Sequence, residues 1–159
     1  MKKGIFIFLI LAVFSPDTFA QPAKAKTSVN QIWGGYFNQT RLSDKWGIWA
    51  EAQLRTKEEL VTDLSVGIAR LGLTYYVNDA SKLTAGYAFV NFFPSDNHKK
   101  ISQPEHRIWQ QFQWHTKFQR NWLMQWFRLE ERFRRKIKND STLSDGYLFN
   151  YRVRYNVWY

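Results

Sequence analysis

Charged residues with the geometry for ion pairing recur along this chain at alternate positions. Glu51 and Arg55 form one set, Arg107 stands in a second segment, Arg128, Glu130, Arg132 and Arg134 form a third, and Arg152 and Arg154 a fourth. Guanidinium presents a planar fork of donors that matches a carboxylate or phosphate with two parallel bonds. Two uses follow. The residues can make an interior network of salt bridges and hydrogen bonds, because narrow barrels are filled by their own side chains. They can also line a passage that prefers anions, as basic linings do. Only the excess of arginine over glutamate speaks for the passage, so the structural network is the primary expectation.

Other chemistry has less to stand on. His98, His106 and His115 are spaced too widely for a compact metal motif, and the chain has no cysteine to complete one or to form a disulfide. Ser95, Asp96, His98 and Ser102 share one polar stretch. An envelope enzyme acting on lipid or peptide bonds needs an oriented nucleophile and base, and such loop residues are more often solvated surface. No glycine loop is present to cradle a phosphate. The expectation is a protein with no catalytic site, no cofactor and no metal.

The elements that position the arginines are strands, because side chains on a strand alternate between two faces. From Trp46 to Lys57 the even positions carry Trp46, Ile48, Ala50, Ala52, Leu54 and Thr56, while Trp49, Glu51, Gln53, Arg55 and Lys57 take the odd ones. His106 to Lys117 sets Ile108, Phe112 and Trp114 against Arg107, Gln111, Gln113, His115 and Lys117. Trp122 to Lys136 sets Leu123, Phe127, Leu129 and Phe133 against its arginines and Glu130, with Glu131 on the apolar side. A strand from Tyr147 opposes Tyr147, Phe149, Tyr151, Val153, Tyr155 and Val157 to Asn150, Arg152, Arg154 and Asn156. Lys82 to Phe92 places Leu83, Ala85, Tyr87 and Phe89 opposite Gly86 and Ala88. Two further segments are less regular. Gln31 to Thr40 has no clean phase. Leu64 to Val77 turns Leu71, Leu73, Tyr75 and Val77 outward and Arg70, Gly72 and Thr74 inward, and its first half needs a bulge near Ala69 to agree. A helical period of 3.6 fits none of these stretches.

Seven such strands of about ten residues, separated by turns, predict an all-β, antiparallel transmembrane barrel, one apolar face meeting hydrocarbon and one polar face lining the interior. Leu42–Lys45, Asn78–Ser81 and Phe118–Asn121 read as tight turns; Glu58–Asp63, Phe93–Glu105 and Ile137–Gly146 read as longer polar loops. Trp46, Trp114, Trp122, Tyr147 and Tyr159, near strand ends, suit interfacial aromatic girdles, and Glu131 is expected near the outer interface. The first connection is short, so either Gln21–Val29 threads back through the interior or the sidedness is inverted.

The N-terminus agrees with export. Lys2 and Lys3 precede an apolar run from Gly4 to Phe14, Ser15-Pro16 breaks it, and Thr18-Phe19-Ala20 supplies small residues at a cleavage site. The run is too short for a membrane helix, which takes about 20 residues. Cleavage after Ala20 removes two lysines and one aspartate and lowers the formal net charge from +10 to +9. Residues 21–29 read as a flexible lead-in and 30–159 as the barrel domain. In an exported protein this charge points to outer-membrane lipids and lipopolysaccharide, with the barrel-assembly machinery as a transient partner and nucleic acid excluded. Aromatics make up 18% of the sequence, yet mean hydropathy is negative, as a barrel with one apolar face and one wet face requires.

Pro104-Glu105-His106-Arg107-Ile108-Trp109 at a strand start, and Arg128-Leu129-Glu130-Glu131-Arg132-Phe133-Arg134 in the next strand, resemble the outer-membrane barrel family called domain of unknown function 2490. Trp46 through Arg55 and Leu71-Gly72-Leu73-Thr74-Tyr75 fit it as well, and the resemblance covers most of residues 30–155. It implies an outer-membrane location and carries over no activity, ligand or functional residue. Members are usually longer than this chain. Even strand numbers are the rule for such barrels, so seven strands predict part of a barrel of about 8–12 strands; the rival reading takes Val157-Trp158-Tyr159 as an aromatic terminus.

Overall fold

The computed structural model describes residues 30–57, 63–94 and 99–159. The signal peptide expected over residues 1–20, the lead-in at 21–29, most of the loop after Lys57, and Ser95, Asp96 and His98 lie outside them.

Seven strands follow one another: β1 (Trp33–Arg41), β2 (Trp46–Thr56), β3 (Leu64–Tyr76), β4 (Ser81–Phe92), β5 (Gln103–Phe118), β6 (Asn121–Asn139) and β7 (Thr142–Trp158). Each pairs antiparallel with its sequence neighbours, giving a single sheet in the order β1 to β7. Among the described residues β1 pairs only with β2 and β7 only with β6, so the sheet is open at both edges.

The sheet is strongly curled. Strands three positions apart in a flat sheet lie about 14 Å apart, yet the rings of Trp49 on β2 and Trp109 on β5 have centroids 5.8 Å apart, edge to face. Lys82 on β4 likewise donates across to Gln39 on β1 at 2.9 Å. One cross-strand row explains how the curl is built. Trp49, Gly72, Gly86, Trp109 and Glu130 are successive partners on β2 to β6. The two glycines leave a floor without side chains, and the two indoles fold over it. Glycine within a strand often marks this kind of bend or close approach. A Cβ on Gly86 falls 2.0 Å from the Leu71 carbonyl oxygen and 2.6 Å from the Gly72 Cα, and one on Gly72 falls 2.7 Å from the Trp109 ring.

Burial is inverted relative to a protein packed in water. The concave face holds the charged residues: Glu105 and Glu130 have no exposed surface, and Arg70 and Arg107 retain 5% each. The convex face carries the large apolar side chains, with Leu71 68%, Tyr151 64% and Val153 59% exposed.

The expected strands are all present, with four differences. β5 begins at Gln103, so Pro104 and Glu105 belong to the sheet and the loop expected over Phe93–Glu105 is shorter. The long loop expected over Ile137–Gly146 is instead a tight turn between β6 and β7. The Asn139 side-chain oxygen accepts from the Ser141 amide at 3.0 Å and the Thr142 hydroxyl at 2.8 Å, the local bonding that makes asparagine a turn former. Register slips twice beside it, between Arg135 and Ile137 and between Ile137 and Asn139, and Gly146 takes the left-handed φ of 83° that an extra residue demands. The bulge expected near Ala69 lies at Ser65, since Thr56 pairs with Leu64 but Arg55 with Val66. Val66 and Ile68 therefore share the concave face with Arg70. Finally, β1 does have a phase: Trp33, Gly35, Phe37 and Gln39 lie opposite Arg55, Gln53, Glu51 and Trp49. Gly34-Gly35 and Tyr36-Phe37 put like residues on both faces and so conceal it.

The glycine row carries a measurable cost. Gly86→Ala is expected to destabilise the refolded protein by about 1–3 kcal/mol, the range of core overpacking. Gly34→Ala, whose Cβ meets nothing within 4 Å, is expected to stay within about 0.5 kcal/mol of the parent. Urea-unfolding midpoints of the two variants compare them directly.

Candidate functional site

Alternation along β2, β3, β5, β6 and β7 brings the charged residues to the concave face, and the curl brings distant strands within reach. Three carboxylates organise the cluster. Glu105 accepts from Arg107 Nε at 2.5 Å, from Arg132 through Nε at 2.8 Å and Nη2 at 3.0 Å, and from Arg134 Nε at 2.6 Å. Glu51 takes both its oxygens to Arg70 Nη1 at 2.6 Å, and Trp49 Nε1 and the Gln53 amide also donate to it. Glu130 is the common node. Arg154 donates to it; Arg70 Nη2 lies at 3.4 Å, Arg107 Nη1 at 3.6 Å and Arg128 Nη1 at 3.9 Å. Its partners thus come from β7, β3, β5 and β6.

Two pairs of arginines sit directly opposite each other across neighbouring strands, Arg107 with Arg132 and Arg128 with Arg154. Like charges so placed repel. Glu105 contacts both members of the first pair and Glu130 both members of the second, which is why a carboxylate is needed at each of these two places.

Tryptophans complete the packing. Arg128 donates to the Gln111 side chain at 2.7 Å, and its guanidinium carbon lies 4.9 Å from the Trp109 ring, 5.1 Å from Trp126 and 5.7 Å from Trp49. Arg70 sits 5.5 Å from Trp109 and Arg154 5.9 Å from Trp126. A cation over an indole face gains more when it is desolvated, and Arg128 is only 6% exposed.

Of the residues expected to form this network, Glu51, Arg107, Arg128, Glu130, Arg132, Arg134 and Arg154 are brought together in ion pairs. Arg55 and Arg152 share the face without an ion pair among the described residues; Arg55 stacks 4.9 Å from the Trp33 ring. Two members were missed. Arg70 has the right phase but no carboxylate nearby in sequence. Glu105 follows a proline and reads as loop, although it keeps the same spacing as Arg107 and Trp109. His106 lies on the convex face, its Nδ1 2.5 Å from the Tyr87 hydroxyl, and His115 Nδ1 is 3.3 Å from the Ala80 carbonyl oxygen. Among the described residues no group of three histidine, aspartate or glutamate side chains could hold a metal ion.

Beside the network the concave face encloses a cavity of about 580 Å³, reached by β1 through Trp33 and Phe37 and by β7 through Arg152 and Trp158. Residues 30–159 match the family model described as a protein of unknown function, DUF2490. The chain belongs to that family. No curated protein and no solved structure matches it. What the DUF2490 network can do follows from its own chemistry. Guanidinium stays protonated and cannot act as a base, so the arrangement suits charge pairing and anion recognition.

Removing a node and removing a bystander should differ sharply. Glu130→Gln leaves buried guanidiniums without their counter-charge and is expected to cost about 3–5 kcal/mol, the range for breaking a buried pair. Arg152→Gln, which breaks no ion pair, is expected to shift stability by less than about 0.5 kcal/mol. Denaturant unfolding followed by tryptophan fluorescence measures both.

Proposed function

We propose that this chain is an exported outer-membrane β-barrel protein whose arginine-rich concave face forms the barrel interior, with a structural or interaction role and no catalysis. The observation that carries the reading is the inverted burial: carboxylates and guanidiniums lie inside while leucine, phenylalanine, tyrosine and valine cover the outside. Water would drive that convex face to bury itself, whereas hydrocarbon accepts it. The antiparallel up-and-down order also fits, since strands of 9 to 19 residues meet the length of about 9–11 that a tilted strand needs to cross a bilayer. Within hydrocarbon the free edges of β1 and β7 must find partners, because unpaired backbone groups there are costly. Further strands, to a total of about 8–12, supply them in this reading.

On the convex face Trp46, Trp114, Tyr147 and Tyr159 stand toward the ends of the strands, as interfacial aromatics would. Trp122, by contrast, pairs with Lys117 on the opposite phase, and Glu131, expected near the outer interface, pairs with Ile108 and Tyr151 near the middle of β6. Partners under this reading are outer-membrane lipids, lipopolysaccharide and, during insertion, the barrel-assembly machinery. A second reading, a narrow passage preferring anions, is favoured by one observation: six arginines and a single glutamate line the concave cavity. Planar-bilayer recordings test it, with anion-selective steps expected and a silent bilayer counting against it.

The absence of cysteine from the sequence makes the membrane reading testable by single labels. Cysteine variants at Leu71, Phe127 and Val153 carrying a bimane fluorophore, in vesicles of brominated phosphatidylcholine, should be strongly quenched, and one at Gln39 on the opposite face should not. Equal quenching on both faces, or a protein that stays monomeric in buffer without detergent, overturns the assignment.

A further inference from the structure

The ion pairs on the concave face do not neutralise it, and the surplus is concentrated in one place. On β7, Arg152 and Arg154 point to the same side, about 7 Å apart as alternate strand residues are, and Arg128 stands directly opposite Arg154 on β6. The one carboxylate among them is Glu130, and it is shared with Arg70 and Arg107 from the far side of the cluster. Arg152, directly opposite Glu130 in the register of β6 and β7, makes no ion pair among the described residues, and neither does Arg55 across the cavity.

Three further observations mark this surplus as a binding site. Arg128, Arg152 and Arg154 all line the 580 Å³ cavity, together with Arg55 and Arg70. The Nε atoms of Arg70 and Arg154 are buried and have no hydrogen-bond partner, and Arg70 is only 5% exposed. Buried donors in folded proteins are nearly always satisfied, so orphaned ones call for a partner outside the chain. The walls are indole: Trp49 and Trp126 hold Arg128 by its faces, and Trp33 and Trp158 border the same space. Stacked guanidiniums of this kind are pre-set in orientation, which favours bidentate capture of an oxyanion.

We propose that this cavity binds a phosphate group, held between Arg152 and Arg154 of β7 and Arg128 of β6, with the tryptophan walls receiving the apolar or ring-bearing part of the molecule that carries it. A phosphomonoester fits better than a carboxylate. It brings a charge of about −1.5 to −2 and three acceptor oxygens, against the single charge and two oxygens of a carboxylate. The phosphate can belong to a soluble solute or to a lipid headgroup, and the two share this chemistry. The inference adds a ligand class to the barrel reading, but the site's geometry belongs to the concave face alone.

The experiment follows tryptophan fluorescence of the detergent-solubilised protein during titration with inorganic phosphate, phenyl phosphate and a short-chain phosphatidic acid in neutral micelles, at constant ionic strength, with chloride and acetate as controls. Saturable quenching by phosphate, tighter with phenyl phosphate, is expected. Arg152→Gln should weaken it tenfold or more without moving the unfolding midpoint, and Arg152→Lys, which keeps the charge and loses the fork, should weaken it less. Should Arg152→Gln fail to fold, Arg55→Gln, the other arginine without an ion pair, takes its place with a weaker expected loss. Preference for phenyl phosphate assigns the site to a soluble solute, and preference for phosphatidic acid assigns it to a headgroup. Equal response to chloride or acetate, an unaltered response in the glutamine variant, or no saturable response to any phosphate probe overturns the proposal. Because these titrations need no bilayer, their failure is separate from that of the lipid-quenching test of location.

Discussion

The clamping of Glu130 by arginines from four strands is the interaction on which the rest of this structure depends. A carboxylate with no exposed surface is tolerable only when its charge is answered at short range, since an unpaired buried ion costs several kcal/mol. Here the answering groups stand on β3, β5, β6 and β7. β3 and β6 are not neighbours, so the pair Arg70–Glu130 can form only if the sheet curls. Curvature and charge neutralisation are therefore one constraint seen from two sides. Flattening the sheet would strand the carboxylate, and removing the carboxylate would set Arg128 against Arg154 at the inner face.

The glycine row supplies what the ion pairs need. Side chains at Gly72 and Gly86 would hold the strands apart and lift Trp109 from the sheet; without them the indoles of Trp49 and Trp109 lie close over the backbone. Those indoles then form two walls of the box around Arg128. A fully buried tryptophan, a pair of glycines and a cluster of guanidiniums thus depend on one another. The convex face, by contrast, is built from side chains that have few partners within the chain, and its stability in the outer-membrane reading comes from its surroundings.

Much of this was legible because a strand has a period of two and the two faces meet different environments. Five of the seven strands, and the face on which Glu51, Arg107, Arg128, Glu130, Arg132, Arg134, Arg152 and Arg154 lie, follow from alternation. What failed to show is what alternation cannot encode. Pro104 disguised the start of β5 and hid Glu105, because proline ordinarily stays out of paired strands. Register slips between β6 and β7 erased the rhythm and made a turn look like a loop. Arg70 could be given a side but not a partner, since Glu51 and Glu130 are 19 and 60 residues away in sequence. Alternation places Trp49, Trp109 and Trp126 on the charged face but does not give their role, which is the packing that surrounds the buried Arg128.

The most direct measurement is the coupling energy between Arg70 and Glu130, obtained from a double-mutant cycle with Arg70→Gln, Glu130→Gln and the double variant in denaturant unfolding. Residues three strands apart in a flat sheet share no contact, and mutations at such separated sites add to within about 0.3–0.5 kcal/mol. If the sheet curls over Glu130 as described, the cycle should return a favourable coupling of at least about 1.5 kcal/mol, the lower end for close charge pairs. Simple additivity of the two substitutions would contradict it.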